Sequence, residues 1–188
     1  MTQQPPENSR ARTLVLLYPF GVLVVGMLVN GLVFGIEPLA VALPSAGAIV
    51  ALAIAAVLLV INHSWLMTAT ELTRVRHGMY AAPEEWAAAG RAPGDAPAEG
   101  VRELERRHNA HRNTTENTVY FAIAAAVFLL VSPPVIAAQV WFMTYAIARL
   151  GYTASYLVGN TGLRGLFMTL TLLPLYAMAA YPVMALFL

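Results

Sequence analysis

The residues best placed to do chemistry are Arg149, Tyr152 and Tyr156, with Arg112, Asn113 and Glu116 on the segment before them. Arg149, Tyr152 and Tyr156 follow i, i+3, i+7 spacing and so share one helical face, and Arg112 and Glu116 are i, i+4 on theirs. The two segments flank an uncharged Ser132-Pro133-Pro134 turn. Counting back from Val131 the roughly 20 residues that a hydrocarbon span requires reaches Arg112. The apolar run itself begins only at Thr118, so the span must draw Arg112, Asn113, Glu116 and Asn117 to the membrane edge. Ionisable groups at that depth are costly and face a bundle interior or a wet cavity. Reflection through Pro133 sets Glu116 level with Arg149, Asn113 with Tyr152 and Asn109 with Tyr156. It predicts a pocket between two antiparallel helices, closed by a buried Glu116–Arg149 ion pair.

The elements that must carry these residues are membrane helices. Apolar residues make up 59% of the 188 and charged ones 11%, where a soluble domain has about 45–50% and 25%; mean hydropathy is +0.64. A net charge of +1 argues against a nucleic-acid partner. There is no cysteine, which excludes disulfides, thiolate metal sites and a thiol nucleophile of the chain's own. Any thiol chemistry must come from a bound molecule. His63, His77, His108 and His111 have no metal-binding spacing, so no metal is expected. His63, in the middle of an apolar run, reads as a packing or interhelical hydrogen-bonding residue.

Five apolar stretches run over about 13–36, 45–69, 118–131, 135–158 and 166–188. All but the third meet the length for a span, about 20 residues at roughly 1.5 Å each. Residues 1–12 form a polar tail, read as disordered or surface-bound, and 71–110 a basic loop. In that loop Pro83 with Glu84 and Glu85 opens a helix that Gly90 stops, and helical pattern resumes near Val101. Arg102, Arg106 and Arg107 read as anchors beyond the membrane edge. Every second connection is basic, so the positive-inside rule places the N-terminus, the 71–110 loop and the Arg164 turn in the cytoplasm and the C-terminus outside. The expected setting is a bacterial inner membrane.

Glu105–Asn117 reads ERRHNAHRNTTEN and Ala148–Tyr156 reads ARLGYTASY. The first resembles the ER-x3-AHxNxxEN signature, and the second the AR-x2-(H/Y)T-x2-Y segment, of the membrane-associated family of eicosanoid and glutathione metabolism. That family includes microsomal glutathione transferases, prostaglandin E synthase and leukotriene C4 synthase. Leu163-Arg164-Gly165-Leu166 is similar to the RGL that opens the last helix of the microsomal transferases. Arg74 and Arg76 ahead of Ala82-Pro83-Glu84-Glu85 are similar to the family's arginines before an NPED-type sequence.

The resemblance implies an all-α integral membrane protein. Residues 45–188 would form the family's four-helix transmembrane bundle and 13–44 one extra N-terminal transmembrane helix with its loop. It implies a homotrimer binding glutathione between subunits near the cytoplasmic face. Arg112, Asn113 and Glu116 match positions that hold the glutathione backbone and carboxylates, and His111 matches a motif position. Arg149, Tyr152 and Tyr156 match residues lining the site, and Arg74 matches an arginine supplied by the neighbouring subunit. Arg164 matches the arginine beside the sulfur, with Tyr156 a candidate hydrogen-bond donor. Arginine forks and one Glu suit a ligand with two carboxylates and an amine. The expected activity is glutathione transfer to, or glutathione-dependent reduction of, a lipophilic electrophile or hydroperoxide arriving from the lipid. Gly165 replaces the serine of the prostaglandin synthases, which favours transferase or peroxidase over isomerase. Two further readings are a non-catalytic lipid-binding protein and an accessory subunit docked on a membrane partner through the extra helix.

Overall fold

A computed structural model describes residues 9–188. The expected polar tail falls largely on residues 1–8, outside the described residues; from Ser9 the chain is already helical. Helix α1 (Ser9–Val29) passes through a wider turn at Asn30–Phe34 and ends at Gly35, whose φ of 78° a side chain would resist. Four long helices follow: α2 (Ala46–His77), α4 (Ala98–Leu130), α5 (Val135–Leu157) and α6 (Thr161–Ala185), with the short α3 (Pro83–Ala88) in the loop between α2 and α4.

Helices α1, α2 and α6 are long and apolar enough to cross a membrane. At 23 residues α5 matches the predicted 135–158 in length, but it falls outside that apolar set. Its buried face carries Tyr145, Arg149, Tyr152, Thr153 and Ser155, so polar atoms inside the bundle dilute its hydropathy. The third stretch is the far half of the 33-residue α4, whose polar half extends beyond the membrane.

The core lies among α2, α4, α5 and α6, with Phe121, Phe128, Phe142, Tyr145 and Tyr181 fully or nearly buried. Helix α5 packs along α2 and α6. Gly47 admits Val135 so closely that an added Cβ would lie 2.8 Å from it, and Gly151 admits the Phe167 ring, 2.3 Å from such a Cβ. Small residues let membrane helices approach where lipid gives no hydrophobic drive.

Helix α1 packs on α6. Gly26 lies against Ala177, and Tyr18 donates to Thr169 Oγ1 at 2.7 Å. The fully buried Asn30 donates to the Ala177 carbonyl at 2.7 Å and accepts from Trp141 Nε1 at 2.9 Å. The segment after it is tied across the far end of the bundle, with Glu37 N donating to Tyr181 Oη, Leu39 N to Ala185 O and Ala42 N to Leu130 O.

Beyond the membrane, α2 and α4 continue together. Arg107 donates to the Ala69 carbonyl, to Thr73 and to Glu103, and Glu103 also meets His77 at 2.9 Å and Arg76 at 3.5 Å. The His77 hydrogen bond holds the Glu103 carboxyl below the usual range against the effect of burial, with Arg107 and Arg76 adding to it. Arg107 is thus an interhelical clamp and not the solvent-side anchor expected of it. The loop folds on its own terms as expected: Pro83 opens α3, Glu85 accepts from the Ala81 and Ala82 amides, and Gly90 follows with φ 65°.

Candidate functional site

Arg149 is fully buried between α5 and α4. Its Nη1 and Nη2 both donate to Asn113 Oδ1 at 3.1 Å, and Nη2 also donates to Thr114 Oγ1 at 2.6 Å. Its guanidinium lies over the Tyr152 ring, 4.5 Å from the centroid. Tyr152 in turn meets Tyr156 at 5.4 Å, and Arg164 at the start of α6 lies 5.0 Å from the Tyr156 ring. An unbroken line of stacked cations and rings thus joins α4 to α6 on the loop side. Arg149, Tyr152 and Tyr156 share one face of α5 as their spacing predicts, and Asn113 from α4 and Arg164 from α6 join them there.

The Glu116–Arg149 pair is not formed. Glu116 is exposed, and the ion pairs among the described residues lie elsewhere. Arg149 meets α4 about one turn nearer the loop than reflection through Pro133 places it, at Asn113 and Thr114. An arginine side chain spans that turn, and it finds a carboxamide and a hydroxyl in place of a carboxylate.

Helix α4 sends its signature residues in three directions. Asn113 and Thr114 face α5. Half-buried His111 faces α2, where its ring meets the exposed His63 edge-on at 5.1 Å. Arg112 and Glu116 are exposed and point away from the bundle. Arg74, on the loop-side end of α2, pairs with Glu71 and reaches His108 Nε2 at 3.4 Å. Desolvation lowers the His108 pKa, and the cations Arg74 and Arg112 add to this, which favours the neutral ring that accepts from Arg74. The predicted set is therefore split: one part lies inside the α4–α5–α6 cluster and the other on the outward face of α2 and α4.

An apolar groove of about 430 Å³ runs between α4 and α6, lined by Asn117, Tyr120, Leu172, Leu175, Tyr176 and Ala179. Asn113, Asn117 and Tyr120 are i, i+4, i+7, and Arg164 lies on the α6 face of Leu172 and Leu175. By these spacings Asn113 and Arg164 continue the two walls' stripes on the loop side of the groove. A second groove, of about 440 Å³ between α5 and α6, is lined by Met143, Ile147, Phe167 and their neighbours.

Sequence reasoning missed Thr114, Arg107 and Asn62. Thr114 lies inside the signature but reads as a variable position, and Asn62 is one polar residue in a long apolar run. No significant match to a curated protein is found. The MAPEG family model matches residues 50–184, which span α2 to α6 and leave α1 outside. The helices, the polar cluster and this match together show that the chain belongs to the MAPEG family, all-helical membrane proteins of glutathione and eicosanoid metabolism.

Proposed function

We propose that the protein is a glutathione transferase, with glutathione-dependent peroxidase chemistry open to the same site, acting on lipophilic substrates as a homotrimer. The observation that carries this reading is that Asn113 and Arg164 of the polar cluster lie on the same helical stripes as the α4–α6 groove residues, on its loop side. An apolar trough at membrane depth meets a cationic, tyrosine-lined end. One part suits a lipophilic chain and the other an anionic tripeptide.

The donor set fits glutathione. Among the described residues neither Arg112 nor Arg164 forms an ion pair with a carboxylate, so both keep their charge for a ligand. Glu116 is equally free of an ion pair and suits the ligand's amine. The outward Arg112 and Glu116, at the edge of the hydrocarbon, call for a protein neighbour and not lipid. A second copy contributing its Arg74 face would close the site and reunite the two halves of the set. Both terminal nitrogens of Arg149 are engaged by Asn113 and Thr114, so its role is to hold Asn113 in place more than to touch the ligand.

Arg164 is the group for the sulfur. A thiol of pKa about 8.5 is mostly protonated at neutral pH. Lowering it by about two units takes roughly 2.7 kcal/mol of differential stabilisation, within reach of a half-buried guanidinium held against a tyrosine ring. The thiol releases its proton to solvent at the loop-side mouth, and the thiolate forms a C–S bond as the electrophile's leaving group departs. With a hydroperoxide the thiolate attacks the O–O bond and releases the alcohol, and a second glutathione converts the sulfenic acid to disulfide and water.

The test is ultraviolet difference spectroscopy of the purified protein with glutathione at neutral pH, alongside calorimetry. A thiolate band with saturable binding supports the proposal. Absence of both leaves the non-catalytic lipid-binding reading.

A further inference from the structure

Four buried side-chain atoms without a protein hydrogen-bond partner lie on the neighbouring helices α2 and α5. They are both amide atoms of Asn62, Arg149 Nε and Thr153 Oγ1. All three residues are 0% exposed. Arg149 and Thr153 are i, i+4 and lie one turn apart on one stripe of α5. Asn62 lies on the buried stripe of α2 with Ala48, Ala51, Ala55, Leu66, Ala69 and Thr73.

Two independent registers set Asn62 opposite that stripe. Helices α2 and α5 run side by side in the same direction from the Gly47–Val135 contact. The step from Gly47 to Asn62, repeated from Val135, ends at Leu150, beside Arg149. Helices α2 and α4 run antiparallel, and the His63 and His111 rings meet at 5.1 Å. Asn62, one residue before His63, therefore lies within about a turn of Asn113 and Thr114, which accept from Arg149. Both registers converge on the Arg149 guanidinium.

The chemistry of the four atoms names their partner. Asn62 Nδ2 and Arg149 Nε can only donate, Asn62 Oδ1 can only accept, and the Thr153 hydroxyl does either. An anion would satisfy the donors and leave Oδ1 facing a like charge; a cation would meet the guanidinium. Water both donates and accepts. At membrane depth an unsatisfied polar group is expensive. A buried guanidinium with no carboxylate beside it also carries a desolvation cost that water relieves.

We infer that the bundle interior holds a small cluster of ordered water, on the order of two molecules at about three hydrogen bonds each, bridging Asn62 on α2 to Arg149 and Thr153 on α5. The cluster hydrates Arg149 on the edge that Asn113 and Thr114 leave open. It is part of the resting protein and does not depend on glutathione.

Two measurements on the full-length protein without glutathione test it. Water-edited solid-state NMR of arginine-labelled protein in lipid bilayers reads magnetisation transfer from water to Arg149 Nε–H, identified by its contacts to the Tyr152 ring. Transfer is expected despite complete burial, and Asn62→Leu abolishes it. The second is the Tm of Thr153→Val, which keeps the side chain's shape and so is expected to fold. Loss of a water-bound hydroxyl lowers Tm by about 3 °C, whereas loss of a hydroxyl that is dry and unpaired raises it. Absence of water transfer in the wild type, or a raised Tm in Thr153→Val, overturns the inference.

Discussion

The contact between Arg149 and Asn113 fixes how α4 and α5 register, and a double-mutant cycle reads it directly. Arg149→Lys keeps a cation but removes the fork that donates twice to Asn113 Oδ1 and once to Thr114. Asn113→Ala removes the acceptor and leaves the guanidinium on Thr114 alone. A hydrogen bond to a charged group contributes about 1.5–3 kcal/mol. Side-chain hydrogen bonds measured in a membrane bundle average only about 0.6 kcal/mol. Arg149 is charged and 0% exposed, which favours the upper part of the combined range. We expect a coupling energy of about 1.5 kcal/mol, from reversible denaturation in mixed micelles. The companion cycle, Arg149→Lys with Glu116→Gln, should show coupling of less than about 0.5 kcal/mol, as for residues without shared partners. Coupling larger for Glu116 than for Asn113 would falsify the register described above and restore the ion pair that reflection through Pro133 predicts.

Three other outcomes follow from particular contacts. Arg164→Ala is expected to keep glutathione binding within a few-fold by calorimetry while losing the thiolate band; undiminished thiolate would move that role to another residue. Glu103 has its pKa lowered in the fold, so its contribution is present above the unfolded value near 4.3 and is lost as pH falls through the lower folded one. Below about pH 4, Glu103→Gln should therefore show a weaker acid dependence of Tm than the wild type, and identical acid profiles would count against the clamp. Gly151→Ala places a Cβ 2.3 Å from the Phe167 ring and should destabilise by about 1–3 kcal/mol, as overpacking does; Phe167→Leu in the same chain should restore most of that loss, and no restoration would locate the strain elsewhere.

Much of the architecture is readable from local chemistry. Pro134 sets the start of α5, Pro83 opens α3 and Gly90 follows it, because proline and glycine act on the backbone where they stand. The face shared by Arg149, Tyr152 and Tyr156 follows from 3.6-residue periodicity alone. Helix length is less readable, because hydropathy ends where the hydrocarbon ends while the backbone ladder continues. The loop-side extension of α2 to His77 is held by Arg107, Thr73 and Glu103, a partnership between residues distant in sequence. The partner of Arg149 is missed for a related reason: reflection through a turn fixes backbone depth to within a turn, and an arginine reaches that far. Asn30 and Asn62 look like blemishes in apolar runs until the opposing helices are in view. The outward placement of Arg112 and Glu116 depends on which α4 stripe the other three helices select, and neighbouring motif residues cannot reveal that.

The Asn30 latch bears on how the protein is made. Helix α1 leaves the ribosome before α5 and α6, and the groups that satisfy Asn30 lie 111 residues later at Trp141 and 147 later at Ala177. During synthesis the nascent α1 must therefore wait in the membrane with a bare carboxamide, and its docking is among the last steps of assembly. Chains that stall or are truncated before α6 keep that amide without its Ala177 partner. Completion of α6 thereby becomes the condition for docking α1.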